Sequence, residues 1–386
     1  MNILYLCCDP GIPVFGRKGC STHVRETCRT LANLGHKVVV ASPNPGPDRP
    51  PRLPFEFFRL PMVSRRVPCS DFRLMLNNVV MLRALNGLLR RFRPEAIYER
   101  HALYSVVGER LEKQLGIPRI LEINTRLAQE NRSRLHFPRL ADWSERRIFQ
   151  KARRVIVISK PLHDFLISLG KDEQHVKIIP IGVDPDLFNP SVDGDAVRRD
   201  LNLTSGVVVI GYLGAFNYYH RFDLMLPLVR RLNEAGHAVK VLAVGGDTHK
   251  IEKFKRRIQD MGLTEQFHFT GAVPYENLPS YIAAMDFAVV PGHTPVATPT
   301  KIFEFGAMAK ACVAPDHIPI RALMADGAED LVFTPDDLES LFEKVMLLLT
   351  KPARRDELAQ ALHRNILSRH TWDQHIREIL KIYQDM

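Results

Sequence analysis

The stretch from Asp286 to Pro315 constrains the fold more than any other part of the chain. Asp286-Phe287-Ala288-Val289-Val290-Pro291 is a short apolar run stopped by a proline, and Ala311-Cys312-Val313-Ala314-Pro315 repeats the pattern. Between them lie a loop rich in threonine and proline and the segment Pro299-Thr300-Lys301-Ile302-Phe303-Glu304-Phe305-Gly306-Ala307-Met308-Ala309. A buried strand, a polar loop, a helix and a second buried strand make the half-unit of a parallel α/β sheet. The helix opens on Lys301 and carries Glu304 one turn in. A helix N-terminus attracts anions, and a lysine placed there is comfortable beside one. A first-turn carboxylate can reach hydroxyls attached to that anion. Phosphate joined to sugar hydroxyls is the chemistry of a nucleotide.

A chain of 386 residues exceeds what one core usually supports, so two domains are expected. Its 45% apolar and 25% charged residues are ordinary for a globular protein. No apolar run approaches the ~20 residues of a spanning helix. Met1 to Cys8 has no basic leader and reads as a strand, not a signal peptide. Cys7, Cys8, Cys20, Cys28, Cys69 and Cys312 show no paired spacing, which points to reduced thiols in the cytosol and not to disulfides or zinc. The net charge of +10 is spread along the chain, with clusters at Arg65-Arg66, Arg90-Arg91-Arg93 and Lys253-Lys255-Arg256-Arg257. No zinc finger, RNP aromatic pattern or basic-helix repeat accompanies it, so nucleic acid is not the expected partner. An anionic small ligand or an acidic membrane surface explains the excess as well. A solvated face remains the simpler reading of the arginine clusters.

Strand and helix alternate through the first half. Ile3 to Cys7 reads as a strand, Asp9 to Cys20 as a loop, and Ser21 to Gly35 as a helix with Val24, Cys28, Leu31 and Leu34 on one face. Lys37 to Ala41 is the next strand, parallel to the first if the connection is right-handed. A proline-rich loop, Pro43 to Pro54, precedes an amphipathic helix from Arg73 to Phe92; strands follow at Ala96–Tyr98, Arg119–Glu122, Val155–Ile158 and Val176–Ile179. Pro180 to Asn202 loses the pattern and reads as a linker. The alternation then restarts with strands Val207–Leu213, Val239–Val244 and Gln266–Phe269 and helices Asp223–Ala235, Lys250–Met261 and Tyr275–Ala284. Two open α/β sheets joined by one linker imply two Rossmann-like domains facing each other across a deep cleft that holds the ligand. The boundaries fall at residues 1–185 and 186–370. The final helix, Trp372 to Tyr383, belongs obviously to neither.

The loop Gly11-Ile12-Pro13-Val14-Phe15-Gly16-Arg17-Lys18-Gly19-Cys20-Ser21 leaves the first strand and enters the first helix with three glycines and two cations. Glycines permit close backbone approach, and the helix start adds free amides. Its spacing is not that of the dinucleotide fingerprint. The loop faces phosphate or is a surface loop that needs turns.

Together with this loop, several segments resemble the retaining glycosyltransferases of family four, which have the GT-B fold. They are Ile97-Tyr98-Glu99-Arg100, Leu121-Glu122-Ile123-Asn124 running to Glu130, Ile179-Pro180-Ile181-Gly182-Val183-Asp184 with Phe188, Gly211-Tyr212-Leu213-Gly214-Ala215-Phe216 with Asp223, Thr270-Gly271-Ala272-Val273-Pro274, and Pro299 to Glu304. The resemblance implies transfer of a sugar from a nucleotide-diphosphate donor, with UDP the favoured nucleotide, with retention at the anomeric carbon and without a metal. It implies that Glu304 holds the ribose hydroxyls, that Lys301 and the backbone near Thr300 meet the diphosphate, and that Val273 borders the base. Gly19, with Arg17 and Lys18, would approach the phosphates, as would Gly214, Phe216 and Thr298. His101 would sit near the donor sugar and acceptor. Residues 371–386 would cross back onto the first domain.

Three positions depart from the family pattern. Val296 replaces a glutamate near the donor sugar, leaving backbone amides or Thr294, Thr298 and Thr300 to recognise it. The loop after Gly214 lacks its usual arginine and lysine, so His220 or Arg221 must supply that charge. Ile181 stands where asparagine is common. Glu122, Asn124 and Glu130 line the acceptor side or act as caps, while Asp184 and Asp186 read as turn formers. The acceptor is left open: glycan, lipid-linked or small molecule. The competing readings are a non-catalytic nucleotide-sugar binder and a membrane-surface partner, the latter peripheral on the inner membrane surface.

Overall fold

The computed structural model describes residues 1–48, 52–64, 66–203, 206–324 and 327–386. Arg65 and part of the proline-rich Pro43–Pro54 loop lie outside the described residues. The chain divides into two compact units, Met1–Ile181 with Trp372–Met386, and Gly182–Thr371. The boundary comes before residue 185 because Val183 already pairs with Thr371 and donates its amide to the His370 carbonyl at 2.9 Å, inside the second unit.

The first unit is built on seven parallel strands: β1 (Asn2–Cys7), β2 (Lys37–Ser42), β3 (Glu56–Arg59), β4 (Ala96–Arg100), β5 (Arg119–Ile123), β6 (Arg154–Val157) and β7 (Val176–Ile178). Their order is β3-β2-β1-β4-β5-β6-β7, so the winding reverses between β1 and β4. β1 pairs with β2 in the register Ile3↔Val38 and with β4 in the register Ile3↔Ala96. Both faces of the sheet are covered, which is why β1 reads as an unbroken apolar run. Ile3, Tyr5 and Cys7 enter one core with Val24, Cys28 and Leu31, while Leu4, Leu6 and Cys8 enter the other with Met81, Leu85 and Leu88. All six cysteines are free thiols. The helix Trp372–Gln384 completes the first of these cores with Ile376, Ile379 and Ile382, and Tyr383 Oη donates to the Ile97 carbonyl at 2.7 Å.

β3 falls just beyond the expected proline-rich loop. Its four residues alternate too little to announce a strand, and pairing with β2 is what holds them extended. The helix after it starts earlier than expected, at Ser70, because buried Asp71 accepts from Tyr104 Oη at 2.7 Å and from the His136 amide at 3.0 Å.

The second unit holds six parallel strands: β8 (Val208–Leu213), β9 (Val239–Val244), β10 (Phe267–Gly271), β11 (Phe287–Val289), β12 (Cys312–Pro315) and β13 (Val332–Phe333). The order β10-β9-β8-β11-β12-β13 places its reversal between β8 and β11. The expected linker Pro180–Asn202 contains a short helix, Asp195–Asp200, whose Arg198 pairs with Asp286 at 2.8 Å. The helix expected from Asp223 begins as a tight turn at Phe222–Leu224 and continues as Met225–Glu234, with Pro227 tolerated in its first turn. Two helices beyond the motifs, Leu338–Thr350 and Pro352–Arg369, close this unit.

Candidate active site

In an open parallel sheet, ligands bind outside the carboxyl ends of the strands where the winding reverses. In the second unit that point is flanked by the loops after β8 and β11, and the helix Thr300–Ala307 follows directly. The helix is short and almost wholly buried. Gly306 lets Pro352–Arg369 lie against it: a Cβ there would sit 2.6 Å from Ile366 Cγ1 and 3.1 Å from Leu362 Cγ. His363 Nδ1 lies 3.0 Å from the Gly306 carbonyl. The helix bearing Lys301 and Glu304 is therefore set rigidly.

Lys301 is 7% exposed, and its Nζ has no hydrogen-bond partner among the described residues. The ammonium lies 5.5 Å from the centroid of the Tyr212 ring. Burial pulls Lys301 down to about 8, against the fields of Cys312 and Glu304. Glu304, equally buried, is pushed up by burial to about 7, with Lys301 opposing. Gly214 borders the same space: a Cβ there would come within 2.8 Å of Tyr212 Oη and 3.1 Å of Lys301 Nζ. Thr298 is buried just before the helix, Thr300 is its first residue, and Val273 is half-buried in the loop after β10. Val296 is half-buried in the loop after β11.

The loops after β8, β9 and β10 are tied together. The Gly214 amide donates to Val244 at 3.0 Å, and that of Gly245 donates to Gly271 at 2.8 Å. Three expected contributions from the β8 loop need correction. Phe216 is a core residue, packed against Tyr212, Phe222, Phe254 and Phe269, so its ring does not face a ligand. Arg221 adopts φ 48 and gives its guanidinium to Asp223 at 3.2 Å and to Asp336. Its charge is already matched. His220 is buried, and burial followed by the fields of Lys301, His293 and Lys250 holds it down at about 2. It is neutral at any working pH. His293, which stacks over it at 6.4 Å, is likewise lowered to about 4 by burial and Lys301.

In the first unit the winding reverses between β1 and β4, and the loops after those strands carry Arg17, Lys18, Gly19 and His101. Gly19 is the first residue of the helix Gly19–Asn33, whose first turn has no acidic residue; Lys18 is its exposed N-cap. Arg17 pairs with Asp48 at 3.1 Å. Arg25, one turn into the helix, reaches back to the carbonyls of Val14 at 3.0 Å and Gly16 at 2.6 Å and fixes the loop. His101 is buried: Nε2 lies 3.1 Å from Glu145 Oε1, the ring meets Phe149 edge-on, and Nδ1 has no hydrogen-bond partner among the described residues. Glu145 also accepts from the Ala128 amide at 3.1 Å. Sequence reasoning missed Glu145, Arg25 and Lys250, because each acts across a distance in sequence that no motif spans.

Glu122 does not face an acceptor. It is fully buried, 2.7 Å from His23 Nε2 and 3.6 Å from Arg100 Nη1. Burial alone would raise its carboxyl, but His23, Arg100 and His375 hold it at about 2. His23, Glu122 and His375 bring one ligand atom each within 4.8 Å of one another. The Arg100 guanidinium beside them makes this a poor seat for a dication. The second such group, Cys69, Asp71 and His136, has its carboxylate engaged by Tyr104. Asn124 is half-buried and Glu130 exposed. Asp184 caps a turn, accepting from the amides of Asp186 at 3.0 Å and Leu187 at 3.4 Å.

Two parallel Rossmann-like sheets, each with basic and glycine-bearing loops at its reversal, define a glycosyltransferase of the GT-B type. Residues 17–187 match the family model described as Glycosyltransferase Family 4, and residues 207–351 match that of glycosyl transferases group 1. The chain belongs to the family-four glycosyltransferases. It is 26% identical over 296 residues to 2-deoxystreptamine N-acetyl-D-glucosaminyltransferase of Streptomyces fradiae, covering 71% of this chain and 69% of that one. It is 24% identical to D-inositol 3-phosphate glycosyltransferase of Stackebrandtia nassauensis, covering 95% and 86%. Among solved structures it resembles sucrose-phosphate synthase from Thermosynechococcus elongatus, with a TM-score of 0.83 at 18% identity over 100% of this chain and 98% of that one. It also resembles Anabaena HepE in complex with UDP and glucose, with a TM-score of 0.79 at 16% identity over 100% of both chains.

Proposed function

We propose that this glycosyltransferase takes its sugar from a nucleotide-diphosphate donor, UDP-linked in the first instance, and transfers it with retention and without a metal. The observation that carries the reading is the Lys301 ammonium, buried without a hydrogen-bond partner among the described residues, one turn from the buried carboxylate of Glu304. A buried cation is costly unless an anion meets it. The diphosphate would meet Lys301 and the Gly214 backbone, and Glu304 would accept from the ribose hydroxyls. The relative whose structure holds UDP and glucose supports the same class of donor.

In the transfer, the bond from the anomeric carbon to the leaving phosphate oxygen breaks and a bond to the acceptor oxygen forms. The acceptor's proton passes to the leaving diphosphate. The protein contributes position and charge stabilisation. His101, oriented by Glu145, would hydrogen-bond a sugar hydroxyl through Nδ1. The β11 loop would recognise the sugar through backbone and Thr298, since Val296 offers no polar side chain.

Peripheral contact with an anionic membrane has its own support. Phe72, Leu76 and Val79 are exposed on one face of the helix Ser70–Arg91, Phe137 meets Phe72 edge-on at 5.6 Å, and Leu140 and Trp143 are exposed on the helix Pro138–Lys151 that follows it. Arg139 and Arg147 lie on the same helix as Trp143. No helix among the described residues is long and apolar enough to cross a membrane.

The test is binding and transfer with EDTA present, using a panel of nucleotide sugars against wild type and Lys301→Ala. The reading expects one diphosphate sugar to bind and the variant to lose at least ~100-fold in rate, the scale of one transition-state donor. Near-normal turnover by Lys301→Ala would sink it.

A further inference from the structure

We propose that Lys250 is a second phosphate-binding cation of the donor site, acting together with Lys301 at the loop that follows β8. The inference rests on the donor reading above and adds a residue to it. A diphosphate diester carries two negative charges, and the Lys301 ammonium supplies one positive charge. The two basic residues of the β8 loop supply the other less readily: Arg221 stands against two carboxylates, Asp223 and Asp336, where Lys250 faces one, and His220 is buried and neutral.

Lys250 comes from the first turn of the helix Thr248–Asp260, which follows β9. Its Nζ donates to Asn217 Oδ1 at 2.7 Å and to the Ala215 carbonyl at 3.2 Å, and lies 3.5 Å from Asp247 Oδ2. Ala215 and Asn217 come one and three residues after Gly214, and a Cβ on Gly214 would lie 3.1 Å from Lys301 Nζ. The two ammonium groups thus both border residues 214–217. Their fields both reach buried His220. The close approach of the two loops is built in: a Cβ on Gly245 would lie 2.5 Å from the Gly214 carbonyl oxygen, and one on Gly246 would strike the Phe216 ring at 2.2 Å. The side chain of Lys250 is 37% exposed, and its nearest carboxylate, on Asp247, is 58% exposed. So exposed a pair is weak, and the ammonium is free to exchange its carbonyl contacts for phosphate oxygens.

The experiment is calorimetric titration of the full chain with UDP, GDP, ADP and dTDP, and with the matching nucleosides. For the diphosphate that binds wild type, Lys250→Ala should lose about tenfold or more in affinity, as expected for a charge-assisted contact to phosphate. Its nucleoside affinity should stay within about twofold, and Lys250→Arg should restore most of the loss. Asn217→Ala removes the bracing contact but keeps the charge, so it should bind the diphosphate nearly as well as wild type. Unchanged diphosphate affinity in Lys250→Ala, or an equal loss in Asn217→Ala or for the nucleoside, overturns the proposal while leaving the donor reading intact. Failure of wild type to bind any of the four diphosphates overturns both.

Discussion

Lys301 and Glu304, the centre of the proposed donor site, are buried at a cost in stability. Lys301 falls from its ordinary 10.5 to about 8 on folding, and Glu304 rises from 4.5 to about 7. A lysine whose folded value is depressed destabilises the fold in full below pH 8, and the penalty fades as pH rises from about 8 to 10.5. At 1.36 kcal/mol per unit the penalty is of the order of 3 kcal/mol. Lys301→Met should therefore raise stability at pH 7 by roughly 1–3 kcal/mol in urea unfolding, with the gain shrinking above pH 8, while transfer is lost. A variant no more stable than wild type at pH 7 would mean the ammonium already has an anionic partner.

In the proposed donor site the same two groups would set the pH range of donor binding. Above about 8 Lys301 must take up a proton before it can pair with the diphosphate, so affinity should fall by up to about tenfold per pH unit. Below about 7 Glu304 is protonated and accepts less well from the ribose hydroxyls, so affinity should fall on the acid side too. Titration with an intact nucleotide-diphosphate sugar, whose phosphates do not ionise in this range, should give an optimum between those limits. A flat profile would remove both residues from the donor contact. At Arg221 the expectation is the reverse: Arg221→Ala should leave donor affinity within about twofold, because its guanidinium faces two carboxylates, Asp223 and Asp336.

Among the elements, the helix Thr300–Ala307 depends on a neighbour that no motif announced. Gly306 against Ile366 and Leu362 of Pro352–Arg369 fixes where Lys301 points. Gly306→Ala should destabilise by about 1–3 kcal/mol through overpacking. The shift propagates to Lys301, so donor affinity should fall with it; calorimetric scans and titration on one preparation check both. The strands and most helices were legible because a strand covered on both faces reads as a continuous apolar run, as in β1 and β9. β3 and the helix Asp195–Asp200 were not, since their few residues hold shape through contacts with β2 and Asp286 that sequence does not display. The site was legible in part. Lys301, Glu304 and Gly214 carry local signatures, whereas the neutrality of His220 and the capture of Arg221 arise from burial and from Asp336, far along the chain.

Across the whole molecule, the C-terminal helix is a structural wall of the first unit. Ile376, Ile379 and Ile382 complete a core begun by Ile3, and His375 Nδ1 meets the Pro180 carbonyl at 2.8 Å. Removing residues 372–386 exposes that core and should abolish cooperative unfolding of the first unit; Tyr383→Phe should cost only about 1 kcal/mol, the worth of one hydrogen bond. The exposed aromatic face predicts sedimentation with anionic vesicles that weakens in high salt and is reduced by Trp143→Ser with Phe72→Ser. Equal binding to neutral vesicles would dismiss the basic residues. The sequence alone determined the two parallel sheets and the lysine–glutamate helix, because periodicity and helix-start chemistry are local properties of a chain, and the resemblance of its ordered segments to family four implied the glycosyltransferase class. Only the tertiary structure decided which cations remain available to a ligand. Charge is written in the sequence, but burial and pairing depend on which distant residues the fold brings alongside.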